Sequence, residues 1–298
     1  MDAKAAAAAS RKTLRTLPFD PDDPAATAQA LRAIWLQAVR PTAPAMDRNW
    51  GINDPNFEAV GAPVPVLVAI GQEVGRLARQ QVAAFLPFAQ LLWDEYGREG
   101  RIVAAVALGP MELADPQQVV PVLYRLAQTC VFWEDCDQLA IKAVDPVLRR
   151  DPDAWLEHFG AWVTGDNKWV RRAGLTAIGR LPMKRAAYAA RCVELLAPAL
   201  GDPDIDVKRA LSFGLRLTAR GQVEPLKAFI AAQQQVTSAD SLWVLCDVIR
   251  SMTPELLPQF ADLLPVYRSW LEIADPKARR SVEGAIHTLE GELHDAAT

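Results

Sequence analysis

The sequence predicts an all-α fold built from stacked two-helix repeats, and three observations support this. Ala and Leu dominate a 298-residue chain that is 51% hydrophobic, and runs of strand-favouring Val, Ile, Thr and Tyr are scarce. From Pro63 onward, apolar helical segments of about 12–18 residues alternate with short breaks that contain Pro, Gly or Asp. The segments also recur with a period of roughly 36 residues, which is the length of a two-helix repeat.

Residues 1–60 are predicted to form an N-terminal extension. The Ala-rich start, through Asp23, is expected to be frayed or disordered. One helix is predicted over Ala25–Val39, with Pro24 near its first turn. The stretch Asp47–Ala62 contains two Gly and a Pro and is predicted to be an irregular loop.

Residues 61–298 are predicted to form a single repeat domain. Val170–Ala173 (VRRA) aligns with Val207–Ala210 (VKRA) and with Ala278–Ser281 (ARRS), and each follows a break that contains Asp. The aligned column reads Arg101, Asp137, Arg172, Arg209, Val244 and Arg280, at spacings of 36, 35, 37, 35 and 36 residues. A two-helix unit of this length is typical of HEAT- and TPR-like α-solenoids. We therefore expect a right-handed α-solenoid of HEAT-like repeats with a helical N-terminal cap.

Charge is distributed unevenly along the chain. The net charge of −4 and the pI of about 5.5 argue against a large nucleic-acid surface. Residues 165–220, however, contain eleven Lys or Arg and five Asp or Glu, a net charge of +6. A basic segment on an acidic body is compatible with one face that binds a polyanion.

Several classes of protein are disfavoured by the sequence. The four cysteines show no C-x-x-C spacing and there are only three histidines, so we expect no metal site and reduced thiols in a cytoplasmic protein. No phosphate-binding or dinucleotide-binding motif occurs, and we expect no cofactor. No apolar run reaches the roughly 18 residues of a membrane span, and the N-terminus does not have the pattern of a signal peptide.

The column of cations contains one carboxylate, and that combination has a chemical interpretation. Cations one repeat apart match the phosphates of a nucleic-acid backbone. Asp137 would repel such a backbone, so we expect it to have a chemical role. Cleavage of a glycosidic bond develops positive charge at the anomeric carbon, which a carboxylate stabilises. A purine alkylated at N3 or N7 is already cationic and leaves without protonation, so one carboxylate is sufficient. Trp133 lies four residues before Asp137, on the same helix face, and could pack against the sugar.

These residues resemble the AlkD-like DNA alkylation repair glycosylases. The resemblance rests on Trp133 and Asp137, on Trp169–Arg172 (WVRR) and on Lys208–Arg216. It implies a HEAT-like fold that removes cationic N3- and N7-alkylated purines from double-stranded DNA, as a monomer. It also implies that Asp137 is catalytic and that Trp133 and Phe213 contact the damaged nucleotide, with Phe213 where relatives have a second Trp. Contacts to the DNA backbone are expected from Lys168, Arg171, Arg172, Lys208, Arg209 and Arg101.

Other interpretations of the same residues remain open. Glu134 and Asp135 add negative charge beside Asp137, which is unfavourable near phosphates. Asp137 itself could stabilise the first turn of its helix, and Arg171 and Arg172 could form ion pairs with Asp166 or Asp202. The protein could then be a DNA-structure-binding relative without catalysis, or a protein-interaction scaffold, which is a common use of α-solenoids.

Overall fold

The computed structural model describes residues 3–15, 20, 23–39, 57–272 and 276–295. All regular secondary structure within these ranges is helical, and this confirms the all-α fold class. The described residues form two compact units, residues 1–150 and 151–298. None of the described helices is long and apolar enough to cross a membrane.

The first unit consists of two rows of helices. Its helices are α1 (Ala3–Leu14), α2 (Pro24–Leu36), α3 (Val64–Ala78), α4 (Val82–Glu95), α5 (Gly97–Ala114), α6 (Pro116–Gln128), α7 (Trp133–Leu139) and α8 (Asp145–Arg150). A π-helical turn, Ala140–Val144, joins α7 to α8. In one row α1 packs on α3, α3 on α5, and α5 on α7 and the π-helical turn; in the other α2 packs on α4 and α4 on α6.

The N-terminal segment differs from the expectation drawn from the sequence. A frayed start was expected there, but α1 is a regular helix, so the described residues before 60 contain two helices where one was expected. Ala7, Ser10 and Leu14 are buried and recur on one helix face, and α1 packs on α3. Packing of that face against α3 stabilises α1, because a helix of 12 residues is only marginally stable alone, even when it is rich in alanine. Most of the predicted loop over 47–62 lies outside the described residues.

The second unit repeats the two-row arrangement. Its helices are α9 (Pro152–Gly160), α10 (Lys168–Arg180), α11 (Ala189–Leu196), α12 (Ile205–Ala219), α13 (Glu224–Ala231), α14 (Ala239–Arg250), α15 (Leu264–Ser269) and α16 (Pro276–Asp295). In one row α10 packs on α12, α12 on α14 and α14 on α16; in the other α9 packs on α11 and α11 on α13.

The region before α16 also departs from the sequence prediction. One helix was expected over Pro254–Trp270, but Leu257–Leu263 forms a 3₁₀-helix and only Leu264–Ser269 is α-helical. Pro258 and Pro265 lie at the start of these two pieces. A proline has no backbone N–H and clashes with the preceding turn, so a continuous α-helix is interrupted there.

Helices α10 and α12 approach each other closely. A Cβ atom added at Gly179 would lie 2.3 Å from the Cα of Gly214, so only glycine permits this contact. The two glycines are 35 residues apart, which is the period found in the sequence. The same period separates Trp93 from Thr129, whose hydroxyl accepts a hydrogen bond from the indole N–H at 3.0 Å. Repeat-to-repeat packing within each unit therefore follows the sequence register.

One buried carboxyl group in α5 has no compensating partner. Glu112 is fully buried, and neither of its carboxyl oxygens has a hydrogen-bond partner in the described structure. Burial raises its pKa well above the ordinary value, because a carboxylate is poorly solvated in an apolar interior. The group is therefore held in its neutral form at a cost to folding.

We expect Glu112→Met to stabilise the fold by about 1–3 kcal/mol, because an unpartnered polar group is replaced by an apolar one. Since the pKa is raised in the folded state, the unfolded chain ionises first, and wild-type stability falls as pH rises above about 4.3. Urea unfolding between pH 4 and 8 measures the free energy of unfolding, and in the Glu112→Met variant this energy should decrease less steeply with pH. Glu255→Met, at an exposed position, is the control, and an equal effect there would contradict the assignment.

Candidate functional site

Helix α7 presents an exposed aromatic ring and a carboxylate on one face. Trp133 is the first residue of α7 and is 42% exposed, which is unusual for a tryptophan. Asp137 follows one helical turn later and is half-buried. The helix begins where the Asp135 carboxylate accepts hydrogen bonds from the backbone N–H groups of Val131 at 3.1 Å and Phe132 at 3.4 Å. These bonds satisfy N–H groups that a helix start leaves free.

Glu134 is held inside the unit by a buried arginine of α5. Arg98 donates through Nε to Oε2 of Glu134 at 2.7 Å and through Nη2 to Oε1 at 3.0 Å. Both side chains are at most 8% exposed. Burial alone would lower the pKa of Arg98, but hydrogen bonds and charges from Glu134 and Glu99 raise it above its ordinary value. This is the bidentate geometry in which a buried arginine–carboxylate pair is strongest.

Asp135 is paired with Arg101 through one guanidinium nitrogen. The Arg101 Nη1 donates to Asp135 and to the carbonyl oxygen of Thr129, while its guanidinium lies 4.8 Å from the Phe57 ring centroid and 5.1 Å from that of Trp93. Burial raises the pKa of Asp135, and Arg101 opposes that shift. Arg101, predicted to contact a DNA backbone, is only 8% exposed, and the structure gives it a role in holding α7.

A short segment before α3 is part of the same network. The Glu99 carboxylate accepts hydrogen bonds from the backbone N–H groups of residues 60, 61 and 62 at 3.1–3.2 Å. The Arg98 side chain bridges Glu99 and the carbonyl oxygen of Ala62, and its backbone N–H donates to Glu58. Gly97 makes this possible, since its φ is +55° and a Cβ there would lie 2.1 Å from the Glu58 carbonyl oxygen. Residues 57–62 are thereby fixed to both α5 and α7.

The π-helical turn after α7 also depends on a close approach. A Cβ atom at Gly109 of α5 would lie 2.2 Å from the carbonyl oxygen of Lys142. Such turns occur frequently at functional sites, because they change the direction of side chains along a helix. Here the turn begins three residues after Asp137.

In the second unit, most of the predicted backbone-binding cations have acceptors within the protein. Lys168 Nζ lies 3.0 Å from Asp206 and 3.3 Å from Asp204. Arg171 Nε lies 2.8 Å from Asp202, as one of the alternative interpretations of the sequence anticipated.

The other two of these cations follow the same pattern. Arg172 is buried and its Nη1 donates to the carbonyl oxygen of Asp206 at 2.8 Å. Lys208 Nζ lies 2.6 Å from Asp240. With Lys168 and Arg171, these side chains join α10 to the start of α12 and α12 to α14, and aspartates offset the charges of Lys168, Arg171 and Lys208.

Helix α12 carries the predicted residues that stay at the surface. Arg209 is exposed and makes no ion pair within the part of the chain that is described. Phe213 is half-buried, and the guanidinium of Arg216 lies 5.8 Å from its ring centroid. The structure thus brings Trp133 and Asp137 together on α7, and Arg209 and Phe213 together on α12.

Sequence reasoning missed the arginines that hold α7. Arg98 and Glu134 are 36 residues apart, and Arg101 and Asp135 are 34 apart. Opposite charges about one period apart in the sequence were the signal that could have predicted these ion pairs. The aligned column emphasised residues of like charge and so did not reveal these pairs.

The described residues contain no group of three or more His, Cys, Asp or Glu side chains arranged to hold a metal ion. All four cysteines are free and buried.

We expect Arg98→Met to destabilise the protein by about 3–5 kcal/mol, because two buried carboxylates lose their partner. Arg191→Met is the matched control: Arg191 makes an equally bidentate pair with Glu157 at 2.7 Å on the surface, where a pair contributes about 0–1 kcal/mol. Chemical denaturation measures both. The double variant Arg98→Met/Glu134→Met should recover part of the loss, and equal effects of the two single variants would contradict the role given to Arg98.

Comparison with known proteins identifies the family of the chain. A protein-family model described as DNA alkylation repair enzyme matches residues 36–243, which is more than half of the chain and extends from the end of α2 into α14. No curated protein and no solved structure matches the chain significantly. The chain therefore belongs to the DNA alkylation repair enzyme family.

Proposed function

We propose that this protein is a DNA glycosylase that excises cationic N3- and N7-alkylated purines from double-stranded DNA. The proposal is carried by the arrangement of α7, in which an exposed Trp133 is followed one turn later by Asp137. Glu134 and Asp135 are buried against arginines, so Asp137 is the acidic residue of this helix that can reach a ligand beside Trp133. Membership of the DNA alkylation repair family supports DNA as the substrate.

The proposed chemistry needs one carboxylate. The N-glycosidic bond breaks, and its electron pair leaves with the purine, which becomes neutral. Positive charge develops on the deoxyribose, and the Asp137 carboxylate stabilises it. A water molecule then adds to the anomeric carbon and loses a proton to solvent or to Asp137. No protonation of the leaving group is required, because alkylation has already given the purine its positive charge.

The aromatic and basic residues would hold the nucleotide. The exposed ring of Trp133 would pack on the deoxyribose, exclude water and lower the local dielectric constant, which strengthens the action of a nearby carboxylate. Phe213 would contact a nucleotide of the bound DNA, and Arg209 the backbone. Lys168, Arg171, Arg172 and Lys208 would reach phosphates by sharing or exchanging their present acceptors.

The helix rows of both units support a right-handed HEAT-like solenoid as the architecture that presents these residues. In each unit every second helix packs on the next, as expected for stacked two-helix repeats. We expect the protein to act as a monomer.

A second candidate is an α-solenoid that binds DNA or another protein without catalysis. It is favoured by the ion pairs of Lys168, Arg171 and Lys208 with aspartates of the neighbouring helix, which reduce the charge available to grip phosphates. Salt-sensitive DNA binding without base release would select the non-catalytic DNA-binding relative. Absence of DNA binding at low salt would select the scaffold.

We expect Asp137→Asn to lower the rate of N7-methylguanine release at least about a hundredfold, because the stabilising negative charge is removed. Single-turnover release from a methylated duplex measures this, with duplex affinity determined in parallel. Asp94→Asn, an exposed change on α4, is the control and should keep the wild-type rate. Equal release by wild type and Asp137→Asn would exclude Asp137 from the reaction.

We expect Trp133→Ala to separate activity from stability. Because Trp133 is 42% exposed, its truncation should change stability by less than about 1 kcal/mol while base release falls at least tenfold. Trp93→Ala, at a fully buried position, should instead cost about 3–5 kcal/mol through the cavity that it leaves. Thermal unfolding combined with the release assay tests the pair, and unchanged release by Trp133→Ala would argue against a sugar contact.

A further inference from the structure

Helix α12 carries a continuous exposed stripe of three arginines and one phenylalanine. Arg209, Phe213, Arg216 and Arg220 are separated by four, three and four residues, which keeps them within about 60° of one helix face. Arg209 and Arg220 are exposed, and Phe213 and Arg216 are half-buried. The remaining positions from the middle of the helix onward are buried: Ala210, Leu211, Ser212, Gly214, Leu215, Leu217, Thr218 and Ala219.

The neighbouring helices of the row lack such a stripe. Every residue of α10 from Arg172 to Gly179 is buried, so its basic first turn does not continue along the surface. On α14, the positions that are not buried after its first turn are Trp243, Asp247 and Arg250, a mixture of charges. Among the described helices of this row, α12 therefore presents an uninterrupted basic surface.

The hydrogen bonding of Arg216 is incomplete. Its Nη1 donates to the Ser251 carbonyl oxygen at 2.9 Å, whereas its Nε is buried and has no hydrogen-bond partner in the described structure. Burial lowers the pKa of Arg216; Asp247 opposes that shift and Arg220 adds to it.

The nearby carboxylate of Asp247 is engaged elsewhere. It accepts from the Ser212 hydroxyl at 2.7 Å and lies 3.4 Å from Arg250. Arg209, Arg216 and Arg220 therefore have no ion pair with a carboxylate of the described chain, in contrast to Lys168, Arg171 and Lys208. An external anion would supply acceptors that the protein does not.

We propose that Arg216 and Arg220, with Arg209, bind phosphates along one DNA strand, while Phe213 between them lies against the sugars. The inference rests on the proposed function and assigns Arg216 and Arg220 as positioning residues. The stripe is about 16 Å long, and a duplex strand presents a phosphate about every 3.4 Å of its axis over such a length. Guanidinium groups hold phosphates bidentately, and an aromatic ring between them suits a sugar-phosphate strand better than an acidic peptide.

The test measures how binding of an undamaged fluorescent duplex depends on salt concentration, by anisotropy. Arg216→Gln and Arg220→Gln should each lower the slope of log K against log salt by about 0.9, and the double variant by about 1.8, since each lost phosphate contact releases fewer counterions. Arg191→Gln, which removes an equal charge from the surface of α11, should leave the slope unchanged. Thermal unfolding of each variant checks that the fold is retained.

The outcomes separate this inference from the glycosylase proposal. Unchanged slopes in the Arg216 and Arg220 variants would overturn the proposal that these arginines bind DNA phosphates, even where the wild-type protein releases methylated bases. Lowered slopes with no base release by the wild type would support phosphate binding by these arginines and overturn the proposed glycosylase activity. Competition by poly-glutamate as strong as that of the duplex, lost in the same variants, would overturn the assignment to DNA in favour of an acidic protein.

Discussion

The buried ion pair between Arg98 and Glu134 is the interaction on which the candidate site depends. Helix α7 has only seven residues, too few to be stable alone, and two of its carboxylates point into the unit. Arg98 and Arg101 of α5 neutralise them, and Asp135 also satisfies the N–H groups at the helix start. With those two side chains fixed inward, Trp133 and Asp137 occupy the face that reaches the surface. The orientation of the site is thus set by charges that never contact a ligand.

Ion pairs between neighbouring helices also occur in the second unit, where they have a different effect. Lys168 and Lys208 reach aspartates 32–38 residues further along the chain, which again joins one repeat to the next. These pairs are more exposed than Arg98–Glu134, so each contributes less to stability, but they remove positive charge from the surfaces of α10 and α12. The net charge of +6 over residues 165–220 is therefore not the charge that a ligand meets. Of the accessible cations in this segment, Lys184 and Arg185 precede α11, and Arg209, Arg216 and Arg220 lie on α12 or directly after it.

The fold class and the family followed from the sequence because both depend on periodicity and on residue types at fixed spacing. The 36-residue period and the Trp133–Asp137 spacing were visible without coordinates. Helix α1 was not predicted, although alanine favours a helix, because a 12-residue helix is marginal alone and its burial against α3, some 50 residues away, is not visible in the sequence. Nor could the pairing of Lys168 or Arg172 be predicted, since a repeat column shows that residues share a position but not which carboxylate faces them. For the same reason Arg101 was expected to bind DNA, although its acceptors lie inside the unit.

A carboxyl group can take part in the proposed reaction only if it is ionised and can be reached by a ligand. The carboxyl groups of the first unit differ in both respects. Glu112 is buried without a cation, so burial raises its pKa and holds it neutral; a neutral acid offers no stabilisation to a developing cation. Glu134 and Asp135 are buried beside guanidiniums, whose fixed positive charges oppose the field that each carboxylate would exert on a ligand. Asp137 differs in position, because it lies one turn from an exposed indole, on the face of α7 that those buried pairs leave outward. Of the carboxylates on this helix, Asp137 is therefore the one proposed to stabilise the developing charge.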